Sequence, residues 1–208
     1  MSIALLIGCG KKAPAVPTTP KVEPTEATQT PGMGAAKKAH DEGRYQDAVR
    51  LYTAELATEE AKPAPSWVQL SYLNNQLGLA LDAAGQYDQA LEYHQKSLAI
   101  YLKQLGPDHP DVANSYNNIG TLHYANGEYD HALEYYQKSL AIWLKQLGPD
   151  HPDVANSYHN IAFVYKAKKD LPKAKEYWEK AHAILLKKLG ANHPNTKAVK
   201  GQLDELKE

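Results

Sequence analysis

A 42-residue internal period constrains this chain more than any other feature. The pattern Gly-x-Tyr-x-x-Ala stands at Gly43-Tyr45-Ala48, Gly85-Tyr87-Ala90 and Gly127-Tyr129-Ala132, and a worn copy at Lys169-Leu171-Ala174 keeps the same 42-residue step. A second motif, Leu105-Gly106-Pro107-Asp108-His109-Pro110, returns unchanged at 147–152 and altered as Leu189-Gly190-Ala191-Asn192-His193-Pro194. Between residues 90–116 and 132–158 the copies differ only at His94/Tyr136 and Tyr101/Trp143. Self-similarity of this length belongs to repeat arrays, in which one unit cannot bury its own apolar face and neighbours stack to build a continuous core. A chain of 208 residues has room for one such array and a tail.

Each period reads as two helices. In the third repeat the first is expected from about 110 to 126, with Val112, Tyr116, Ile119 and His123 on one stripe at three- and four-residue steps. Asp108 is the expected N-cap, with Asp111 completing a capping box and Pro110 in the first turn. Asn126-Gly127 ends the helix, since both residues tolerate a left-handed backbone. The second helix is expected over about 130–147, with Leu133, Tyr136, Leu140, Ile142, Trp143 and Leu147 on its apolar side. Glu92/Lys96, Glu134/Lys138 and Glu176/Lys180 mark the solvated face and are worth only about 0.2–0.5 kcal/mol each. Gly78 and Gly120, with Ala36 and Ala162 in the same register, allow the helices of a pair to approach closely, and Ala48, Ala90, Ala132 and Ala174 do so from the second helix. The chain has 14 Tyr and a single Phe. The recurrence of Tyr45, Tyr87, Tyr129, Tyr52, Tyr136, Tyr116 and Tyr158 by register places ring area at the interfaces with hydroxyls near an edge.

These residues resemble the tetratricopeptide repeat, in the 42-residue form of kinesin light chains and many bacterial proteins. The resemblance rests on Tyr116-Asn117-Asn118-Ile119-Gly120, Gly127-x-Tyr129, Ala132-Leu133-x-Tyr135-Tyr136 and Leu147-Gly148-Pro149-Asp150-His151-Pro152. It implies an all-α superhelical solenoid of antiparallel helix pairs. Four hairpins are expected over 34–190 and a capping helix over 191–208, where Val199, Leu203 and Leu206 share one face. The first repeat departs from the pattern: its opening helix, about 34–41, is short, and Pro63 and Pro65 replace the usual connector. No heptad coiled coil precedes the array, so a motor-adaptor role does not follow.

Residues 10–33 are of another kind. Pro14, Pro17, Pro20, Pro24 and Pro31 alternate with threonines, and the stretch has no Leu, Ile, Phe, Tyr or Trp. Such a composition cannot form a core and reads as a disordered, extended tether. Before it, Leu6-Ile7-Gly8-Cys9 in segment 1–9 resembles a bacterial lipobox, which implies lipid on Cys9 and a lipid-anchored place in the cell envelope. The alternative is a cytoplasmic adaptor starting at Met1, in which Cys9 is a spare thiol.

The candidate functional face lies where first helices look into the groove. Asn75, Asn117 and His159 form one row by register, Leu79, Thr121 and Phe163 a second, and Asp82, Tyr124 and Lys166 a third. Asn114 and Asn156, with Tyr72, lie one turn earlier. The resemblance implies that this row holds a bound peptide, with Asn75 and Asn117 bonding its backbone. An amide offers both donor and acceptor to a main chain. Lys166, with Lys168 and Lys169, would favour an acidic end. The expected partner is thus a protein or peptide. A net charge of −1 gives no field to recruit nucleic acid or an anionic membrane surface. One Cys excludes a disulfide framework and a Cys-based zinc site. His109, His151 and His193 lie one repeat apart, on the order of 10 Å, too far for one ion, and are expected to bond backbone at helix starts. Ser97 and Ser139 belong to a packing register, and no phosphate loop or nucleophile–base geometry is present. No catalytic, cofactor or metal residue is therefore assigned.

Overall fold

Every 42-residue period closes as a pair of antiparallel helices in the computed structural model, which describes residues 23–25 and 30–206. Among the described residues there are nine helices and no strand. They are α1 (Pro31–Asp41), α2 (Tyr45–Glu60), α3 (Trp67–Ala83), α4 (Tyr87–Leu105), α5 (Pro110–Ala125), α6 (Tyr129–Leu147), α7 (Pro152–Ala167), α8 (Leu171–Leu189) and α9 (Pro194–Glu205). The chain divides into two units, 21–148 with α1–α6 and 149–208 with α7–α9. Within each unit every helix packs on the ones before and after it in the chain. The lipobox-like segment 1–9 and nearly all of the expected tether lie outside the described residues.

Short-range chemistry sets the helix ends. Gly43, Gly85 and Gly127 take φ of +76°, +76° and +78°, the left-handed turn that glycine adopts without steric cost. In the worn copy Lys169 is held at +63°, a conformation costly to a side chain. Asn126, expected to share this duty, is right-handed, so Gly127 alone makes the turn. The connector motif also differs from expectation. The N-cap of α5 is His109, one residue after Asp108, and its Nδ1 accepts the Asp111 N–H at 3.1 Å. His151 and His193 do the same for α7 and α9 at 3.2 Å, the backbone-bonding role expected of this triplet. Asp108, displaced from the cap, instead accepts from Lys145 Nζ at 2.5 Å, and Asp150 accepts from Lys187 in the same way.

The irregular first repeat has its own solution. Helix α1 starts at Pro31, three residues earlier than expected and inside the presumed tether, because the Thr30 hydroxyl accepts the Met33 N–H at 3.2 Å. Where Pro63 and Pro65 replace the connector, Glu59 is buried and accepts the Ser66 N–H at 2.7 Å and Lys62 Nζ at 2.5 Å.

The core of a hairpin is a ring set against a small residue. Tyr52, His94, Tyr136 and Trp178 share one register and are all buried; so are Ala36, Gly78, Gly120 and Ala162 on the partner helices. A Cβ on Gly78 would lie 2.8 Å from His94 Nε2, and one on Gly120 2.9 Å from the Tyr136 ring, which is why glycine stands at both. Leu73, Leu77 and Leu81 fill the α2–α3–α4 interior, each contributing about 1.5–3 kcal/mol by burial. On the opposite face Lys138 lies 4.9 Å from the Tyr135 ring and Lys180 4.9 Å from that of Tyr177, so the Glu–Lys pairs also roof a tyrosine ladder.

Candidate partner-binding face

Helices α3 and α5 bury one side completely, through Leu73, Leu77 and Leu81 and through Val112, Ile119 and Leu122. The residues between these, at three- and four-residue steps, remain half-buried: Asn75, Leu79 and Asp82 on α3, and Asn114, Asn117, Thr121 and Tyr124 on α5. Tyr72 and Gln76 on α3 and Tyr116 and Asn118 on α5 are half-buried as well. Asn118 Nδ2 donates to Asn75 Oδ1 at 3.2 Å, tying the two helices together across the row. The Thr121 hydroxyl donates to the Asn117 carbonyl at 3.0 Å and lies 3.1 Å from the Tyr136 hydroxyl. Tyr124 tilts against Tyr129 with ring centres 5.7 Å apart. Burial raises the Asp82 carboxyl above its usual range.

Residues 23–25 form no helix, yet Pro24 is buried. Burial raises the Tyr72 hydroxyl, and the charges of Glu23 and Asp41 raise it further. Tyr101 is pushed up to about 12, first by burial, with Asp111 and Glu23 among the lesser causes. The Glu23 charge is thus felt at Tyr72, one of the positions expected one turn earlier on α3.

In the second unit the corresponding side chains are engaged within the unit. His159 Nδ1 accepts from Trp178 Nε1 at 3.1 Å, and burial lowers its pKa to about 4. Phe163 meets Trp178 edge-on at 5.3 Å and His159 at 4.7 Å. Lys166 donates to Glu205 at 2.8 Å and Gln202 at 3.1 Å on α9. Of the four positions on α7, Asn156 is exposed and the other three are half-buried.

Sequence reasoning passed over one group. His123, Glu128 and His131 each offer a ligand atom within 4.8 Å of the others, the sole such group among the described residues. The sequence pattern alone places His123 on an apolar stripe. The signal available was its failure to repeat: one period away stand Leu81 and Tyr165.

A sequence model described as tetratricopeptide repeat matches residues 33–103, 69–145, 111–171 and 153–203. A search of curated proteins finds no match. Among solved structures, a kinesin-light-chain-type protein of Podosopora anserina with nearly identical TPR-like repeats is 29% identical, with a TM-score of 0.70 over 84% of this chain and 83% of that one. BtubC (BKLC) from P. vanneervenii gives a TM-score of 0.65 at 20% identity, over 83% of this chain and 76% of that one. The apo form of RapI gives 0.68 at 18% identity, over 85% of this chain and 47% of RapI. The last two likenesses concern the fold alone.

Proposed function

Since the chain belongs to the tetratricopeptide repeat family, whose solenoids serve as scaffolds for protein–protein contact, we propose that it holds an extended segment of a partner protein against the α3–α5 face. The observation that carries this reading is the half-buried row of Asn75, Asn117, Thr121 and Tyr124 on α3 and α5. Side-chain amides supply main-chain hydrogen bonds with little sequence choice, and Leu79 and Tyr124 add apolar contact. In the second unit His159, Phe163 and Lys166 have partners within that unit. The acidic preference expected of Lys166 is weakened by its pairing with Glu205.

The partner can be captured by a photo-cross-linking residue at position 114 and its affinity measured. Asn117→Ala is expected to weaken that affinity several-fold, on the order of 0.5–1.5 kcal/mol for one hydrogen bond, at an unchanged melting temperature. Glu134→Ala, on the outer face, should alter neither. Cross-links that form only from outer-face positions such as 138 would move the site off the groove.

The resemblance of Leu6-Ile7-Gly8-Cys9 to a lipobox supports a second part of the proposal, a lipid on Cys9 that tethers the array in a bacterial envelope. No helix of the described residues is long and apolar enough to cross a membrane. Acyl mass on Cys9 and release of Cys9→Ala into the aqueous fraction are the expected results. An unmodified Met1 on the native protein favours the cytoplasmic alternative.

A further inference from the structure

Adjacent repeats in this chain are near copies, so a cluster of departures from the register marks a place where one copy has a task of its own. His123, Glu128 and His131 are such a cluster. One period earlier the same positions hold Leu81, Gln86 and Gln89, and one period later Tyr165, Asp170 and Lys173. In the first repeat they hold Ala39, Arg44 and Asp47. No other copy has an imidazole at either histidine position.

The turn between α5 and α6 brings the three together. His123 lies in the last turn of α5, Glu128 is the residue before α6, and His131 lies in the first turn of α6. His123 Nδ1 is 2.5 Å from Glu128 Oε2, and His131 Nδ1 is 3.7 Å from the same oxygen. The two imidazole centres are 5.2 Å apart. A histidine–glutamate bond that merely closes the hairpin would account for two of these residues. It leaves unexplained a second imidazole aimed at the same carboxylate oxygen from a side chain 65% exposed.

We propose that His123, Glu128 and His131 bind one divalent transition-metal ion of the zinc type. Two imidazole nitrogens and one carboxylate oxygen suit such an ion, with bonds of about 2.0–2.2 Å, whereas calcium and magnesium favour all-oxygen sites. Donors at those bond lengths around a tetrahedral ion stand about 3.3 Å apart. To reach that spacing the His123–Glu128 pair has to part by roughly 0.8 Å and His131 to approach Glu128 by roughly 0.4 Å, while the two imidazole nitrogens, within 4.8 Å of each other, close by up to roughly 1.5 Å. Glu128 and His131 can make the change, because their side chains are 48% and 65% exposed. His123 is the fixed member: its side chain is 11% exposed and its ring stacks on Tyr135 at 5.2 Å and 14°. One anchored ligand and two adjustable ones leave a fourth position open to water. The ion would fasten the end of α5 to the start of α6, independently of any peptide on the α3–α5 face.

The full chain, stripped with chelator, is titrated with Zn²⁺ by calorimetry at pH 7.5, and with Co²⁺ to read coordination from visible absorption. One equivalent is expected to bind at micromolar or lower concentration, with the intense absorption of four-coordinate Co²⁺. His131→Ala and Glu128→Gln, both at exposed side chains, should each weaken binding at least tenfold and remove the band, with the metal-free melting temperature unchanged. His40→Ala and Cys9→Ser should leave both readouts as they are. Absence of saturable binding, or binding that neither His131→Ala nor Glu128→Gln weakens, would overturn the assignment.

Discussion

Gly120 has no room for even one methyl group, because a Cβ there would meet the Tyr136 ring at 2.9 Å. The ring cannot swing aside freely, since its hydroxyl lies 3.1 Å from that of Thr121. Gly120→Ala gains about 1 kcal/mol of helix propensity but incurs about 1–3 kcal/mol of overpacking. Urea denaturation should therefore show a net loss on the order of 1 kcal/mol, and a more stable variant would mean that the ring yields. His94 faces Gly78 in the same register and is buried with its Nδ1 unpartnered. Burial disfavours its imidazolium and lowers its pKa to about 4. The unfolded chain, with an ordinary value near 6.5, binds the proton first. Stability is thus complete above about pH 6.5 and falls as the pH drops toward 4, by about 2 kcal/mol at pH 5. His159, lowered equally, adds a loss in the same window. His94→Tyr restores the residue found at 52 and 136 and should shrink the stability difference between pH 7 and pH 5 by about 2 kcal/mol. An undiminished difference would place the acid sensitivity elsewhere.

The helix pairs were legible in the sequence because their determinants are local: a glycine at each turn, a His-Pro start, and apolar stripes between them. Boundaries suffered where composition masked a cap. Thr30 and Pro31 read as tether, although one hydroxyl on the Met33 N–H suffices to begin α1. The groove rows followed from counting by register, and Asn75 and Asn117 are both half-buried. What counting could not show is which of these side chains already has a partner. Trp178 and Glu205, which occupy His159 and Lys166, come from α8 and α9, and nothing in the α7 sequence points to them. The His123–Glu128–His131 group was invisible for a related reason, since its spacing spans a turn and matches no motif. The closing helix was expected to seal the last hairpin, and α9 packs on α8 with Thr196 and Val199 buried. Val199→Asp would bury a carboxylate without a partner, at a cost of several kcal/mol. Hydrogen exchange should then show α9 and α8 losing protection while α3 and α4 keep theirs. Uniform loss along the chain would contradict an array stabilised by nearest neighbours.

At the scale of the whole molecule, stability is a chain of short-range contacts, because each unit packs its helices in sequence order. Near-identity of the copies has a consequence for assembly. Residues 132–147 of α6 repeat residues 90–105 of α4 except at 94/136 and 101/143. The surface of α5 that receives α6 would accept the α4 of another molecule almost as well. What gives each hairpin its address is connectivity: a turn of three residues, 126–128, holds α6 beside α5 at an effective concentration in the millimolar range. Connectivity loses that advantage when many copies refold together. Refolding at hundreds of micromolar should yield hairpin-exchanged dimers in a fraction that rises with concentration and vanishes near 1 µM, as light scattering after size exclusion would show. A fraction independent of concentration would mean that the His94–Gly78 and Tyr136–Gly120 fits are distinct enough to act as the address. On the expected outcome, order along the array is written in the backbone and only faintly in the side chains, so such a chain folds most faithfully when it emerges alone and from one end.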